Sequence, residues 1–237
     1  IKAGSEFLVN TETSDRQRGS SIVMDADGDF VIAWQSKGQD NSPAPDYGVY
    51  AQRYTADGIK AGSEFQVNTE TSNNQRDSSI AIDADGDFVI TWVSSLQDGD
   101  GYGVYAQRYT ADGIKAGSEF LVNTETASIQ QNPSIAIDAD GDFVIAWQSY
   151  LQDGSIYGIY AQRYTADGTQ AGSEFLVNTE TSDRQLRSSI AIDADGDFVI
   201  AWQSYLQDVS FDGVYAQRYE GASQTVDLNL VVQDDVD

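Results

Sequence analysis

Four times in this chain three aspartates fall within five residues as Asp-Ala-Asp-Gly-Asp: Asp25, Asp27 and Asp29; Asp83, Asp85 and Asp87; Asp138, Asp140 and Asp142; Asp193, Asp195 and Asp197. Carboxylate oxygens at this spacing are hard donors that suit Ca²⁺, in the manner of the opening of an Asp-x-Asp-x-Asp-Gly loop. The glycine falls one place early for that loop and no glutamate follows at its twelfth position. A second reading stands beside the first, because Asp-Gly between two alternating apolar runs is the signal of a β-hairpin whose glycine takes a positive φ. Three like charges in one tight turn repel, and a cation would relieve them. The calcium reading therefore takes all twelve aspartates as ligands and calcium as the cofactor, and the plain turn remains its alternative.

The residues that are missing narrow the chemistry further. There is no Cys and no His among 237 residues. Thiol nucleophiles, serine triads, Cys/His zinc sites and haem with a histidine ligand each lack a required part. The formal charge is −25, from 13 basic and 38 acidic side chains. Nucleic acids and anionic lipid surfaces are held mainly by Lys and Arg, so neither is an expected partner. No apolar run is long enough to cross a membrane as a helix. With 40 % hydrophobic and 11 % aromatic residues, the chain is too apolar for a disordered acidic tail.

The elements that must position the acidic turns come from a repeat. The unit restarts at Ile1, Ile59, Ile114 and Thr169, which divides the chain into residues 1–58, 59–113, 114–168 and 169–219, with a tail or linker at 220–237. Each unit holds four short strand patterns bounded by turn residues: A (Ser-Ile-Ala-Ile-Asp), B (Phe-Val-Ile-Ala-Trp), C (Val-Tyr-Ala-Gln-Arg-Tyr) and D (Glu-Phe-Leu-Val-Asn). In Phe88 to Trp92 both faces of the strand are apolar, as in a sheet packed on both sides. Four strands per repeat, stacked between like neighbours, predict an all-β, four-bladed β-propeller with one 55-residue repeat per blade. The chain opens on a D strand at residues 6–10, and the last copy has A, B and C without D. The expectation is that this N-terminal strand closes the ring; the rival is the alternating tail segment at 225–232.

Differences between the copies concentrate in the D-to-A and B-to-C connections, which an up-and-down sheet places at one end of the ring. Arg16, Arg18, Arg76, Arg184 and Arg187 lie in D-to-A loops, and Tyr102, Tyr150, Tyr157 and Tyr205 lie in B-to-C loops beside Gln97, Asp98, Gln152 and Asp153. Aromatic faces with fixed polar groups are what a sugar needs, so these thirteen residues are the expected glycan- or protein-binding set. Drift in exposed loops after duplication is the competing account. The strand-C arginines Arg53, Arg108, Arg163 and Arg218 are expected to pair with acids of a neighbouring blade. Trp34, Trp92, Trp147 and Trp202 are expected to pack between blades.

The run Asp-Ala-Asp-Gly-Asp-Phe-Val-Ile-Ala-Trp followed by Gly-Val-Tyr-Ala-Gln-Arg-Tyr resembles tandem repeats of large secreted bacterial proteins of haemolysin-type calcium-binding and adhesin-like character, over residues 1 to about 219. That resemblance implies secretion, hence an extracellular or cell-surface setting within a longer protein, and a propeller. The functional expectation is a non-enzymatic, calcium-stabilised binding or adhesion module whose partner is a glycan or cell-surface protein, or copies of itself. The alternative is a structural repeat unit of a surface layer, filament or giant adhesin. A glycosidase built on a carboxylate pair comes last, because near-identical blades offer no obvious pair of unequal acids.

Overall fold

The computed structural model describes residues 3–40, 46–209 and 211–221. Among them there is no helix, and the strands form four antiparallel sheets. Blade one comprises β1 (Gln17–Met24), β2 (Phe30–Lys37), β3 (Tyr47–Tyr54) and β4 (Phe65–Gln66). Blade two comprises β5 (Gln75–Ile82), β6 (Phe88–Ser95), β7 (Tyr102–Tyr109) and β8 (Phe120–Leu121). Blade three comprises β9 (Gln130–Ile137), β10 (Phe143–Tyr150), β11 (Tyr157–Tyr164) and β12 (Phe175–Leu176). Blade four has β13 (Gln185–Ile192), β14 (Phe198–Tyr205) and β15 (Asp212–Tyr219). The chain is an all-β propeller of four blades, one per repeat, as its periodicity predicts.

The blades stack because each sheet is apolar on both faces. One face of blade one (Val31, Ala33, Val49, Ala51, Val67) packs on the opposite face of blade two (Ile80, Phe88, Ile90, Trp92, Tyr105, Tyr109). The same small-on-large pairing recurs between blades two and three and between blades three and four. Valine and alanine on one side leave room for the tryptophan and tyrosine rings on the other, so neighbouring blades interdigitate. Trp92 and Trp147 are fully buried there, as expected for tryptophans between blades. Within each blade a Phe stacks on the last Tyr of the third strand, as in Phe88–Tyr109 at 4.9 Å, and the outer-strand Phe of the preceding blade tilts against the same ring at 5.3 Å.

Each innermost strand carries a β-bulge, between Arg18 and Ser21 in β1 and between Arg76 and Ser79 in β5, with counterparts in β9 and β13. Gly19, Asp77, Asn132 and Arg187 occupy the bulge with φ between 53° and 64°. A bulge leaves one residue without a ladder partner and increases the local twist.

The ring-closing expectation is corrected. Among the described residues no strand pairs with the outer edge of β15, and the fourth sheet has three strands. The N-terminal segment lies instead on blade one, in the position that 65–69 takes on blade two. Phe7 tilts on Tyr54 at 5.3 Å, the Thr11 amide donates to Glu64 Oε2 at 2.7 Å, and Lys60 Nζ donates to the Val9 carbonyl at 3.2 Å. Among the described residues the fourth sheet thus stays one strand short, and the valine side of blade four is uncovered. Val199 is 40 % and Val214 84 % exposed, where their counterparts Val144 and Ile159 are 3 % and 0 %. The rival segment at 225–232 lies outside the described residues.

Truncating Trp147 to Ala should cost about 3–5 kcal/mol in chemical denaturation, the range for a large buried ring. Ile114→Ala, at a surface position 65 % exposed, should stay within about 0.5 kcal/mol.

Candidate functional site

The acidic turns explain themselves through hydrogen bonds. In the first, Asp25 Oδ1 accepts the amides of Asp27 and Asp29 at 3.0 and 2.9 Å, while the Gly28 amide donates to the Asp25 carbonyl at 3.2 Å. Gly28 sits at φ 91°, the left-handed conformation that Asp-Gly predicts. Asp83, Asp138 and Asp193 cap their own turns in the same way. The third aspartate reaches sideways: Asp29, Asp87, Asp142 and Asp197 each accept a backbone amide at 2.8 Å, from Ala56, Ala111, Ala166 and Gly221. The middle aspartates, Asp27, Asp85, Asp140 and Asp195, are exposed.

These contacts decide how well a cation fits. Two of the three carboxylates in every turn already hold backbone amides. Among the described residues no three acidic side chains are grouped so as to hold a metal ion. The geometry fits the plain, amide-capped hairpin rather than a calcium cage.

The first aspartate of each turn also borders a cavity. A cavity of about 260 Å³ on the propeller axis is lined by the same three residues from every blade: Met24, Asp25 and Ala26; Ile82, Asp83 and Ala84; Ile137, Asp138 and Ala139; Ile192, Asp193 and Ala194. The four aspartates share that lining with Met24, Ile82, Ile137 and Ile192. The blades are not equivalent there. Burial raises the carboxyl pKa of Asp83 and of Asp138, against the lowering effect of the turn amides they accept. Both belong to blades with a neighbour packed on each side.

At the opposite end of the blades the variable loops meet, as the up-and-down pattern predicts. Arg18 stacks on Tyr47 at 4.5 Å, Arg76 on Tyr102 at 4.8 Å and Arg184 on Tyr205 at 4.6 Å. In blade three the Gln131 amide donates to the Tyr157 hydroxyl at 3.3 Å, and Tyr150 tilts against Tyr157 at 5.1 Å. Each of these arginines lays one face on a tyrosine, so the loops satisfy one another where a free sugar platform is expected. Arg16 and Arg187 are exposed, Arg187 at its bulge. Arg76 also pairs with Asp77 at 2.9 Å. Asp77 and Asn132 share the bulge position with Arg187 and lie outside the sequence-predicted set, because only the bulge brings them forward.

Gln97, Asp98, Gln152 and Asp153 turn inward. Gln97 Nε2 donates to Glu119 Oε1 at 2.7 Å and Gln152 Nε2 to Glu174 Oε1 at 2.6 Å, tying the loop to the outer strand. Asp98 lies over Gly103, where a Cβ would come within 2.6 Å of Oδ2, and burial raises its pKa. Burial, with Asp98 and Glu119 close by, pushes the Tyr105 phenol up to about 12. Gln97 and Gln152 thus anchor their loops to the blade.

The strand-C arginines depart from their expected acid partners. Arg53 and Arg108 donate to the carbonyls of Asp112 and Asp167 in the next blade. Arg163 lies over the Phe198 ring at 4.8 Å, and Arg218 pairs with Asp197 of its own blade at 2.6 Å. A larger cavity, about 710 Å³, opens between blades three and four beside Arg163. It reaches Glu220 and Gly221, where the turn that follows the third strand in the other blades is replaced and the described residues end.

No protein-family model matches this chain, and neither does any curated protein sequence. Solved structures do. An endo-arabinase from Bacteroides thetaiotaomicron aligns with a TM-score of 0.53 at 14 % identity, over 92 % of this chain and 80 % of that one. An α-L-arabinanase from Penicillium chrysogenum, solved with arabinobiose, aligns with a TM-score of 0.60 at 13 % identity, over 88 % of this chain and 64 % of that one. The likeness is one of fold. It supports the propeller half of the sequence resemblance and not the haemolysin-type, adhesin-like half. It also corrects the expectation of a non-enzymatic module, and of its structural-repeat alternative, because the propellers this chain resembles are glycan-processing enzymes.

Two outcomes follow from the turn geometry. Asp83→Ala removes the acceptor of two amides and should cost about 1 kcal/mol, while Asp83→Asn keeps an oxygen there and removes a charge that burial disfavours. A pKa raised in the folded state gives stability that is complete below the ordinary aspartate value and lost as pH rises through the raised value. The Asp83→Asn variant should therefore match the parent at low pH and exceed it at pH 7, read by denaturation at each pH. Exchanging a chelator for millimolar Ca²⁺ should leave the melting temperature in place; a rise with calcium concentration would give the carboxylates a further role.

Proposed function

We propose that this chain processes glycans, with its acid–base chemistry at the axial cavity and a neutral, pentose-containing polysaccharide as the substrate class. One observation carries the reading: four aspartates line one cavity, and burial raises the carboxyl pKa of two of them, Asp83 and Asp138. Glycoside cleavage requires a protonated carboxyl group to donate to the leaving oxygen and an ionised one to act as base or nucleophile. Asp83 and Asp138, kept protonated to higher pH by their apolar surroundings, take the donor role, and the other carboxylates on the cavity take the base role. Unequal burial supplies what near-identical repeats withhold.

The substrate class rests on charge and on kinship of fold. At a net −25 the chain repels polyanionic glycans. The arabinobiose held by the Penicillium enzyme makes arabinan and xylan the first substrates to offer.

The test is release of reducing ends from arabino- and xylo-oligosaccharides. Activity is expected to fall as pH rises through the raised carboxyl pKa values. Asp83→Asn and Asp138→Asn should each lower kcat by about 10²-fold or more, since a positioned acid or base supplies that much, while leaving the fold intact. Undiminished hydrolysis in both variants would move the chemistry elsewhere, and no hydrolysis of any neutral glycan by the parent would overturn the reading.

A further inference from the structure

The chain holds one sulfur atom, since it has a single methionine and no cysteine. Met24 stands where the other three repeats have Ile82, Ile137 and Ile192, each followed by the same Asp-Ala pair. These triplets line the axial cavity. The one side chain that breaks the fourfold repeat of the cavity wall is therefore the one that carries sulfur. Met24 is 61 % exposed, whereas the three isoleucines are half-buried.

The exchange alters chemistry more than packing. Hydrophobic side chains of similar volume replace one another at little cost, so a methionine suits the place of an isoleucine in the strand. The thioether, unlike a hydrocarbon branch, has a lone pair open to two-electron oxidants, and the sulfoxide it forms is polar where methionine was apolar. Competing groups are absent or shielded. There is no thiol and no imidazole in the chain. Of the four indoles, Trp92 and Trp147 are fully buried, and Trp34 and Trp202 are 3 % and 6 % exposed.

We propose that Met24 is a modification site for peroxides, and that its sulfoxide disfavours a glycan in the axial cavity. In the step, a sulfur lone pair attacks one oxygen of hydrogen peroxide. The S–O bond forms as the O–O bond breaks; sulfur is oxidised, the peroxide is reduced, and its second oxygen leaves as water after a proton shift. The product sets a polar S=O group in a wall that Ile82, Ile137 and Ile192 keep apolar. A sugar that rests its C–H face there then has to displace the water this group holds. The second half of the proposal rests on the axial reading of function; the first half does not.

Dilute hydrogen peroxide with a chelator present, followed by intact mass and peptide mapping, tests the site. One added oxygen, about 16 Da, is expected on Met24, removed by a methionine sulfoxide reductase and missing from Met24→Ile. Oxygen on a tryptophan or tyrosine with Met24 intact, or no added oxygen, overturns the proposal. Hydrolysis of arabino-oligosaccharides before and after treatment reads the consequence. KM should rise several-fold in the oxidised parent, return after reduction, and be the same before and after peroxide in Met24→Ile. An unchanged KM with Met24 fully oxidised, or a change that accompanies loss of circular dichroism, overturns the link to the cavity. A parent that hydrolyses no neutral glycan removes the axial reading instead, and the mass map then decides the oxidation site by itself.

Discussion

Everything in this molecule depends on sheets that are apolar on both faces. A sheet with one wet face can end a fold; one with two dry faces needs a neighbour on each side. The chain meets that demand by repetition. Each blade presents small side chains to its successor and large rings to its predecessor, so the same interface forms wherever one repeat follows another. The tryptophans fill these interfaces, the Phe–Tyr stacks lock their outer end, and the strand-C arginines of blades one and two cross from one blade to the next.

That arrangement also brings one turn of every repeat to a common cavity, lined by Asp25, Asp83, Asp138 and Asp193 with Met24, Ile82, Ile137 and Ile192. Asp83 and Asp138 lie in the two blades that have a neighbour packed on each side, and burial raises their carboxyl pKa. The acid–base chemistry proposed for the cavity rests on that burial.

Much of this was legible in the sequence. Period, strand pattern and two-faced alternation pointed to the blades, the tryptophan positions and the grouping of variable loops at one end. Asp-Gly marked the turn. What was not legible depends on distances between blades. Residues 6–10 have the sequence of an outer strand, but whether they meet β15 depends on the angle summed over three interfaces, which no local pattern encodes. The arginines and tyrosines of the variable loops were correctly placed at one end, yet sequence does not reveal that they stack on one another. Gln97 and Asp98 look like loop chemistry and are loop anchors, because the outer-strand glutamate that receives Gln97 lies 22 positions away. Asp77 and Asn132 were passed over because the bulge that distinguishes them arises from register. That the first aspartate of every turn lines one cavity was not legible either, because it depends on how the blades converge.

Whether a glycan occupies the axis at the acidic-turn end is tested most directly by a crystal structure of the chain soaked with an arabino-oligosaccharide. Sugar density is expected in the cavity between Asp25, Asp83, Asp138 and Asp193, with a hydroxyl or glycosidic oxygen within hydrogen-bond distance of Asp83 or Asp138. Sugar bound at the variable-loop end, with the axial cavity free of it, would contradict a catalytic axis.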